Sequence, residues 1–430
     1  MAPSFKPQLR QLLHNCIFFV RGVLLAVLIG LICGVVSSAF YHAFIWATDL
    51  RVAHPWLLWL LPVGGVVIVL LYRLCGMERD KGTNLVLTTV REKESLPFRT
   101  APLVFVSSVV THLVGGSAGR EGAILQIGGS LSASIGRLLR LDENGLRIIT
   151  MCGMSAAFSA LFGTPLAAAI FAMEVISVGV MYYAAIVPCV ISAVTGLWVA
   201  QQLRVPGTAF ALTEIPAAVP LTFVKVIGMG ILFALLSILF CWVMHSAHKI
   251  YDRFLPNRLI RVIVGGCIVL ALTYLIWLWN PGTYDYNGAG ENIIHAAIEG
   301  HARPEAFLLK ILFTALTLGA GYKGGEIVPV FFTGAVFGCV AAPLLGLPAS
   351  FGAALGMVSV FCGVTNCPLT SILLALELFG TSANFGIPAL SLFAVSIAVS
   401  YMLSGYYGLY SEQKIMYDKF HPLFINRKAH

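Results

Sequence analysis

The chain has 430 residues, of which 58% are hydrophobic and only 11% are charged. Soluble domains carry about 25% charged residues, so this chain has too few polar side chains to cover a water-soluble globule of its size. The composition excludes a soluble protein and predicts a polytopic membrane protein. The formal net charge of +8 does not indicate nucleic-acid binding, because the basic residues fall in short clusters between apolar stretches and at both ends.

Six apolar stretches reach or approach the ~20 residues with which a helix crosses a hydrocarbon core. In chain order they are residues 17–46, 56–74, 164–203, 223–244, 259–279 and 387–409. Other apolar stretches are shorter and interrupted by glycine. The expected fold is therefore all-α. With 42 glycines and 20 prolines, many helices should be tilted, broken or stopped inside the membrane, which is tolerated where backbone is buried in protein or lines a wet cavity.

Basic residues near the two ends indicate the topology. The residues concerned are Lys6, Arg10, Arg21, Lys414, Lys419, Arg427 and Lys428. The positive-inside rule then places both termini in the cytoplasm, which requires an even number of full crossings. The first apolar stretch is too long for a signal peptide and lacks a cleavage site, so we expect no cleavage. The predicted location is the cell (inner) membrane, as a multi-pass protein.

The sequence favours neither a cofactor nor a metal site. The ten cysteines occur singly, without the paired spacing of a zinc site or a disulfide framework, and are interpreted as small core residues. His245 and His248 are the nearest approach to a ligand pair, but they lie beside Lys249 in what reads as a basic loop. No carboxylate or cysteine cluster accompanies them. An enzyme or a scaffold is therefore the weaker alternative.

The chain contains an internal duplication. Residues 153–174 align without a gap to residues 356–377, with Gly, Met, Phe, Pro, Leu, Ala and Glu matching, and the glycine-rich residues 115–129 align upstream with 321–334. We predict a first membrane repeat over 1–205, a connecting segment over 206–216, a second repeat over 217–412 and a basic cytoplasmic tail over 413–430. Repeat-built transporters place the substrate at the repeat interface, where interrupted helices end. The alternative is that these glycines only allow close helix packing.

Three glycine-rich helix starts offer anion-binding chemistry. They are residues 81–85, 119–122 and 324–329. A helix N-terminus presents unpaired N–H groups and about half a positive charge, which binds anions without a basic side chain. If the three converge, they would hold a desolvated anion. The carboxylate of Glu121 would then compete for the anion position, and its protonation would release that position.

These motifs resemble the CLC family of anion channels and anion/proton antiporters over nearly the whole chain. Residues 119–122 (Gly-Arg-Glu-Gly) resemble its gating-glutamate motif, 325–329 its Gly-x-x-x-Pro motif, and 409–411 the segment with its central tyrosine. The resemblance implies two inverted structural repeats. It also implies that Glu121 is the gating and proton-transfer residue; the alternative is a structural salt bridge between Glu121 and Arg120. The residues that it implies at the anion site are Gly82, Thr83, Asn84, Gly122, Gly325, Ile327 and Tyr410.

Departures from the chloride-selective pattern point to the fluoride/proton antiporter branch. The loop at residues 82–85 is Gly-Thr-Asn-Leu, without the serine and proline of chloride-selective members, and residues 321–326 are similar to the fluoride branch. Val175 stands where chloride/proton exchangers carry an inner glutamate, and Val328 where some members have threonine. By resemblance, Glu326 becomes the inner proton or ion-coupling group; the alternative is a glutamate that stabilises its own helix start.

The predicted function is fluoride/proton antiport that exports F⁻ and gives fluoride resistance. A chloride/proton exchanger and a passive anion channel of the same family remain alternatives. The expected partners are fluoride, protons and membrane lipid, without nucleic acid. The resemblance also implies a homodimer with one pathway per subunit. Arg120 is expected to be structural or electrostatic, and Glu174 with Glu377, which recur at equivalent positions, to serve helix ends.

Overall fold

The computed structural model describes residues 5–78, 80–92, 96–421 and 423–428. In these residues the chain forms sixteen α-helices and three short strands. The helices are α1 (Phe5–Ala53), α2 (Leu61–Leu74), α3 (Thr83–Glu92), α4 (Thr100–Leu113), α5 (Glu121–Leu138), α6 (Glu143–Phe162), α7 (Pro165–Glu174), α8 (Ile186–Gln202), α9 (Pro220–Phe254), α10 (Arg258–Trp279), α11 (Glu291–Ile298), α12 (Ala306–Ala320), α13 (Ile327–Ala341), α14 (Ala349–Thr365), α15 (Pro368–Phe379) and α16 (Ile387–Leu403). The strands are β1 (Ser177–Val178), β2 (Lys414–Tyr417) and β3 (Phe424–Lys428).

The multi-pass helical architecture is confirmed. Seven helical segments of the described chain are long and apolar enough to span a membrane, and six further apolar helices have 10–17 residues. The apolar stretch 164–203 is not one continuous helix. Helix α7 ends at Glu174, and the chain turns at Gly179, which has a φ of +84°. It then starts again as α8, so the apolar stretch contains two helices with strand β1 between them.

Equivalent local signals shape the two related helix pairs. Helix α6 ends at Gly163 with a φ of +77°, and α14 ends at Asn366 with a φ of +58°. Both residues adopt the left-handed conformation that terminates helices. Each is followed two residues later by a proline at the first position of the next helix, where the missing N–H costs nothing. These matched ends fit the duplication, whereas the repeat boundaries stay predictions.

Glycines bring the helices of each repeat into backbone contact. Gly128 of α5 packs against the carbonyl of Gly153 in α6, and Gly334 of α13 packs against the carbonyl of Gly356 in α14. A methyl group on any of these glycines would overlap the neighbouring backbone. Small residues at such crossings allow the close packing that stabilises helices in membranes. Close packing is therefore a real role for these four glycines.

Two glutamates each cap the N-terminus of a helix in the other repeat. Glu377, near the end of α15, accepts hydrogen bonds from the N–H groups of Leu166 and Ala167 in α7, both at 2.9 Å. Glu174, at the end of α7, accepts from the N–H groups of Leu369 and Thr370 in α15 at 3.0 and 2.9 Å. Carboxylates are stabilising at helix N-termini. The predicted helix-end role of both glutamates matches these contacts.

Glu377→Ala is expected to lower the stability of the fold by about 1–3 kcal/mol, because it leaves two helix-start N–H groups without their charged acceptor. Thermal unfolding of the purified protein in detergent measures this change. Glu299→Ala, on an exposed turn after α11, is the matched control and should unfold at the wild-type temperature. Equal melting temperatures for Glu377→Ala and the wild type would contradict the capping role.

The C-terminal segment folds back onto the helices and adds a small sheet to the all-α body. Strand β2 pairs parallel to β1 and antiparallel to β3. The buried amide of Gln413 donates to the carbonyls of Val175 and Thr365 at 3.0 and 2.8 Å. The Lys419 ammonium donates to Asn366 Oδ1 at 2.6 Å. The predicted tail thus includes residues that hold the segment around Tyr410 in place.

The interpretation of the cysteines as core residues is only partly correct. Seven of them are buried, but Cys16 and Cys267 are exposed and Cys75 is partly exposed. The reason is general: the outer surface of a membrane protein is itself apolar, so an apolar segment does not identify its buried side. All ten are free thiols.

Candidate functional site

The glycine-rich starts of α5 and α13 meet in the interior of the protein. Gly119, before α5, and Gly325, before α13, form an antiparallel bridge. The Gly119 N–H donates to the Gly325 carbonyl at 2.6 Å, and the Gly325 N–H donates to the Gly119 carbonyl at 2.7 Å. The equivalent glycines of the two halves are therefore joined by a reciprocal pair of hydrogen bonds. This contact brings the N-termini of α5 and α13 together.

Glu121 is fully buried at the first position of α5. Its Oε2 atom accepts a hydrogen bond from the N–H of Arg120 at 3.0 Å, so the carboxylate folds back onto its own helix start. Oε2 also packs against Gly119, where a Cβ atom would lie 2.6 Å away. Its Oε1 atom has no hydrogen-bond partner among the described residues. The carboxylate thus occupies the kind of position that an anion would take at a helix N-terminus.

The backbone of Gly325 lies against the first amides of α5. A Cβ atom on Gly325 would come 2.5 Å from the Gly122 nitrogen and 2.9 Å from the Glu121 nitrogen. A Cβ on Gly122 would come 3.1 Å from the Gly325 Cα and 3.2 Å from Thr83 Oγ1. Only glycine leaves these amides uncovered. A side chain at either glycine would cover the amides at the start of α5 or push the two backbones apart.

Thr83 and Gln126 add side-chain donors beside these amides. The amide of Gln126 donates to Thr83 Oγ1 at 3.2 Å and to the Gly122 carbonyl at 3.1 Å. Its buried Oε1 atom has no partner in the described chain. Gln126 was not among the predicted site residues. The available signal was its position four residues after Gly122, one helical turn away on the same face of α5.

Asn84 and Tyr410 come together from opposite ends of the chain. The Asn84 side chain accepts a hydrogen bond from the N–H of Glu412 at 3.2 Å. It therefore anchors the segment that carries Tyr410, which is buried. Gly82 precedes α3 with a φ of +61°, a backbone conformation that favours glycine. The start of α3 is consequently tied to the C-terminal segment.

A cavity of about 600 Å³ leads to this cluster. Thr83, Gln126 and Tyr410 lie along its wall together with Glu326, at the start of α13. No hydrogen bond or ion pair joins the Glu326 side chain to a described residue, and that side chain is partly exposed to the cavity. Besides Glu326, the charged lining residues are two acids, Glu78 and Asp80, and a larger number of bases: Arg73, Lys81, Arg258, Arg261 and Lys323. The cavity therefore connects an open, basic mouth to Glu326 and to the helix starts.

An ion pair joins the two loops at this mouth. The Lys323 ammonium lies 2.8 Å from Asp80 Oδ2 and over the ring of Tyr72, 4.5 Å from its centroid. It links the loop before α3 to the loop before α13.

His248 lines the same cavity. Residues 245–249, expected in a loop, lie within helix α9.

The Arg120 guanidinium lies between the carboxylates of Glu121 and Glu291. Its Nη2 atom lies 2.9 Å from Glu291 Oε1, and its guanidinium stacks over the rings of Tyr41 and Phe44. Its Nε atom lies 3.5 Å from Glu121 Oε1, without a hydrogen bond. These contacts agree with a structural and electrostatic role. Arg120 therefore connects the segment before α5 to Glu291 and to the aromatic rings of α1.

Comparison with known proteins identifies the family. The sequence profile of the voltage gated chloride channel family matches residues 64–401. The chain belongs to this family. Members are transporters or channels rather than enzymes. The candidate site uses helix starts contributed by both halves of the matched region.

Two relatives extend the comparison over most of the chain. A "chloride/fluoride channel protein" of Pseudomonas syringae pv. tomato is 36% identical over 409 residues, covering 94% of this chain and 88% of the relative. A solved structure described as a CLC-type fluoride/proton antiporter is 32% identical, with a TM-score of 0.86, and covers 92% of this chain and 98% of that one.

More distant proteins also match most of the chain. An H(+)/Cl(-) exchange transporter of Cronobacter sakazakii is 25% identical over 398 residues, covering 86% of this chain and 84% of the relative. The structure of a cyanobacterial Cl-/H+ antiporter has a TM-score of 0.74 at 21% identity, covering 89% of this chain and 94% of that one. At that identity, the latter likeness supports the fold alone.

Proposed function

We propose that the chain is a fluoride/proton antiporter that exports F⁻ from the cytoplasm. One observation carries the proposal: the buried Glu121 carboxylate is folded onto the helix start of α5, beside Gly325 of the other half. A carboxylate and a halide are both anions that favour helix N-termini. Glu121 and fluoride therefore compete for one cradle of amides. The two relatives whose descriptions mention fluoride support the choice of ion.

The exchange cycle follows from this competition. When Glu121 is ionised, its carboxylate occupies the cradle and excludes fluoride. When it is protonated, it loses most of its attraction to the amides and leaves the position to the ion. Backbone N–H groups of Gly122 and Ile327 hold the fluoride beside the backbone of Gly325, assisted by Thr83 and Gln126 and closed off by Tyr410. Proton and anion movements are thereby linked through a single side chain.

Glu326 supplies the second protonation site. It lies at the cavity wall, where water can reach it, while Val175 is apolar and buried where chloride/proton exchangers place their inner glutamate. We place the basic mouth of the cavity on the cytoplasmic side, in agreement with the positive-inside rule. Both termini then lie in the cytoplasm, and the protein acts in the cell membrane as a homodimer with one pathway per subunit.

Coupling to protons provides the driving force. Fluoride enters acid-exposed cells as neutral HF and is trapped as the anion at cytoplasmic pH, so export has to be driven. Moving one charge across the membrane is worth about 2.3 kcal/mol per 100 mV. Exchange of one anion outward for one proton inward moves two charges, so it gains about 4.6 kcal/mol per 100 mV. Each unit of pH gradient adds about 1.4 kcal/mol. A one-for-one exchange therefore expels fluoride steeply.

Reconstituted protein should move fluoride against its gradient when an opposing pH gradient is imposed. Fluoride- and proton-selective electrodes record both fluxes from proteoliposomes, and chloride loading at the same concentration is the control. We expect chloride to be transported much more slowly. Equal proton-coupled chloride flux would reassign the protein as a chloride/proton exchanger. Fluoride flux without proton movement would make it a passive channel.

A further inference from the structure

Helix α12 contains a fully buried lysine that plays no part in the proposed ion path. Lys310 has no exposed surface and forms no ion pair with any carboxylate of the described residues. Its ammonium donates to the Gly288 carbonyl at 2.7 Å and lies 5.2 Å from the ring centroid of Phe332. Burying a charge inside a membrane protein is costly, so an intramembrane lysine calls for a functional explanation.

The Lys310 side chain holds a turn that in turn holds the segment before Glu121. The N–H of Gly288 donates to the Gly116 carbonyl at 3.1 Å. The side-chain amide of Asn287 donates to the Gly115 carbonyl at 3.0 Å. We call residues 115–120 the gate loop, because they lead directly into Glu121. Lys310 is thus connected to the gate loop through two residues of one turn.

The same face of α12 contacts the gate loop directly. Thr314 and Thr317 follow Lys310 at helical spacing, so all three lie on one side of α12. The Thr314 hydroxyl lies 3.1 Å from the Ser117 hydroxyl, and Thr317 Oγ1 accepts from the Ser117 N–H at 3.2 Å. A helix of the second half therefore supports the gate loop of the first half through a polar stripe.

A second buried cation reinforces this arrangement. Arg51, at the end of α1, packs against Gly288, where a Cβ atom would lie 2.8 Å from its Nη2 atom. Its buried Nε atom has no partner among the described residues. Lys310 thus bonds the carbonyl of Gly288, and Arg51 fills the space that a side chain at Gly288 would need. The turn is fixed by charge as well as by packing.

From this geometry we infer that Lys310 is a positioning residue of the gate. Its ammonium holds the 287–288 turn, and the turn holds Gly115 and Gly116 through hydrogen bonds. The gate loop then places Glu121 at a defined position in the anion cradle. Loss of the ammonium loosens the loop, so that fluoride passes without displacing a correctly placed carboxylate. The consequence is a change in coupling rather than a simple loss of transport. The inference rests on the proposed antiport.

The test compares Lys310→Met with Thr314→Val and with a control, Ser359→Ala. Ser359 is a buried hydroxyl that bonds Ser396 in the body of the second half, away from the gate loop. All variants are reconstituted, and protons moved per fluoride are measured together with melting temperature. We expect Lys310→Met to move roughly 3- to 10-fold fewer protons per fluoride, the size of effect that follows loss of a network contact. Thr314→Val should shift the ratio in the same direction by less, and Ser359→Ala should keep the wild-type ratio.

Two results would overturn the inference. The first is a wild-type coupling ratio in Lys310→Met with only a lower melting temperature, since that is what a purely structural lysine predicts. The second applies if Lys310→Met does not fold: Lys310→Gln and Thr314→Val then decide, and an unchanged ratio in both removes the positioning role. A wild-type protein without proton coupling would overturn the proposed function as well, so the two failures are distinguishable.

Discussion

Replacing Glu121 by Gln is expected to abolish proton coupling. Glutamine has nearly the same shape but carries no charge and cannot release a proton, so it can neither compete with fluoride nor move a proton through the site. Because a positioned proton-transfer group contributes about 10²–10⁴-fold in rate, proton flux driven by fluoride should fall on the order of 100-fold or more. The readout is the number of protons moved per fluoride in proteoliposomes, whatever fluoride rate remains.

The control for this variant is Glu299→Gln, which changes an exposed glutamate after α11 in the same way. It should keep both fluxes at wild-type values. Undiminished proton coupling in Glu121→Gln would remove this residue from its role. The proton path would then have to start at another acid, and the cradle of amides would lose its internal competitor.

Adding one methyl group at Gly325 is expected to block the anion cradle. The Cβ atom of Gly325→Ala would lie 2.5 Å from the Gly122 nitrogen, closer than non-bonded atoms approach, so the helix start must shift. Gly325 is not among the glycines with positive φ, so alanine meets no backbone strain there. A displacement of about 1 Å at a reacting centre can cost on the order of 100-fold in rate, and we expect a loss of fluoride flux of that size.

Gly228→Ala provides the matched control, because Gly228 lies within α9 and its Cβ would meet nothing closer than 3.7 Å. It should transport fluoride at the wild-type rate. Size-exclusion profiles and melting temperatures separate a blocked site from a misfolded protein. Wild-type fluoride flux through well-folded Gly325→Ala would show that the anion passes elsewhere.

Much of the site was predictable because its chemistry is carried by backbone at helix starts. Glycines at equivalent places in two repeats predict that the two chain segments meet, and the bridge between Gly119 and Gly325 is that contact. Glu121, two residues after Gly119, was identifiable because acidic residues are rare in the apolar sequence around it. Patterns of this kind can be recognised in the sequence, since they depend on residue types and spacing rather than on side-chain orientation.

The support around the site was not predictable in the same way. Gln126 and Lys310 occur within largely apolar helices, and the sequence alone does not show which face of such a helix is buried and which faces lipid. The ends of short helices were missed for the same reason, as in the stretch 164–203. Gln413 lies in a segment that reads as a polar tail, yet it is fully buried because its partners come from distant parts of the chain.

Fluoride binding measured at several pH values, with proton uptake recorded in weak buffer, tests the competition most directly. If Glu121 and the anion share one cradle, fluoride affinity of the detergent-solubilised wild type rises as pH falls, and binding takes up protons. Glu121→Gln should bind fluoride with a much weaker dependence on pH. Wild-type binding that is independent of pH and takes up no protons would contradict the account.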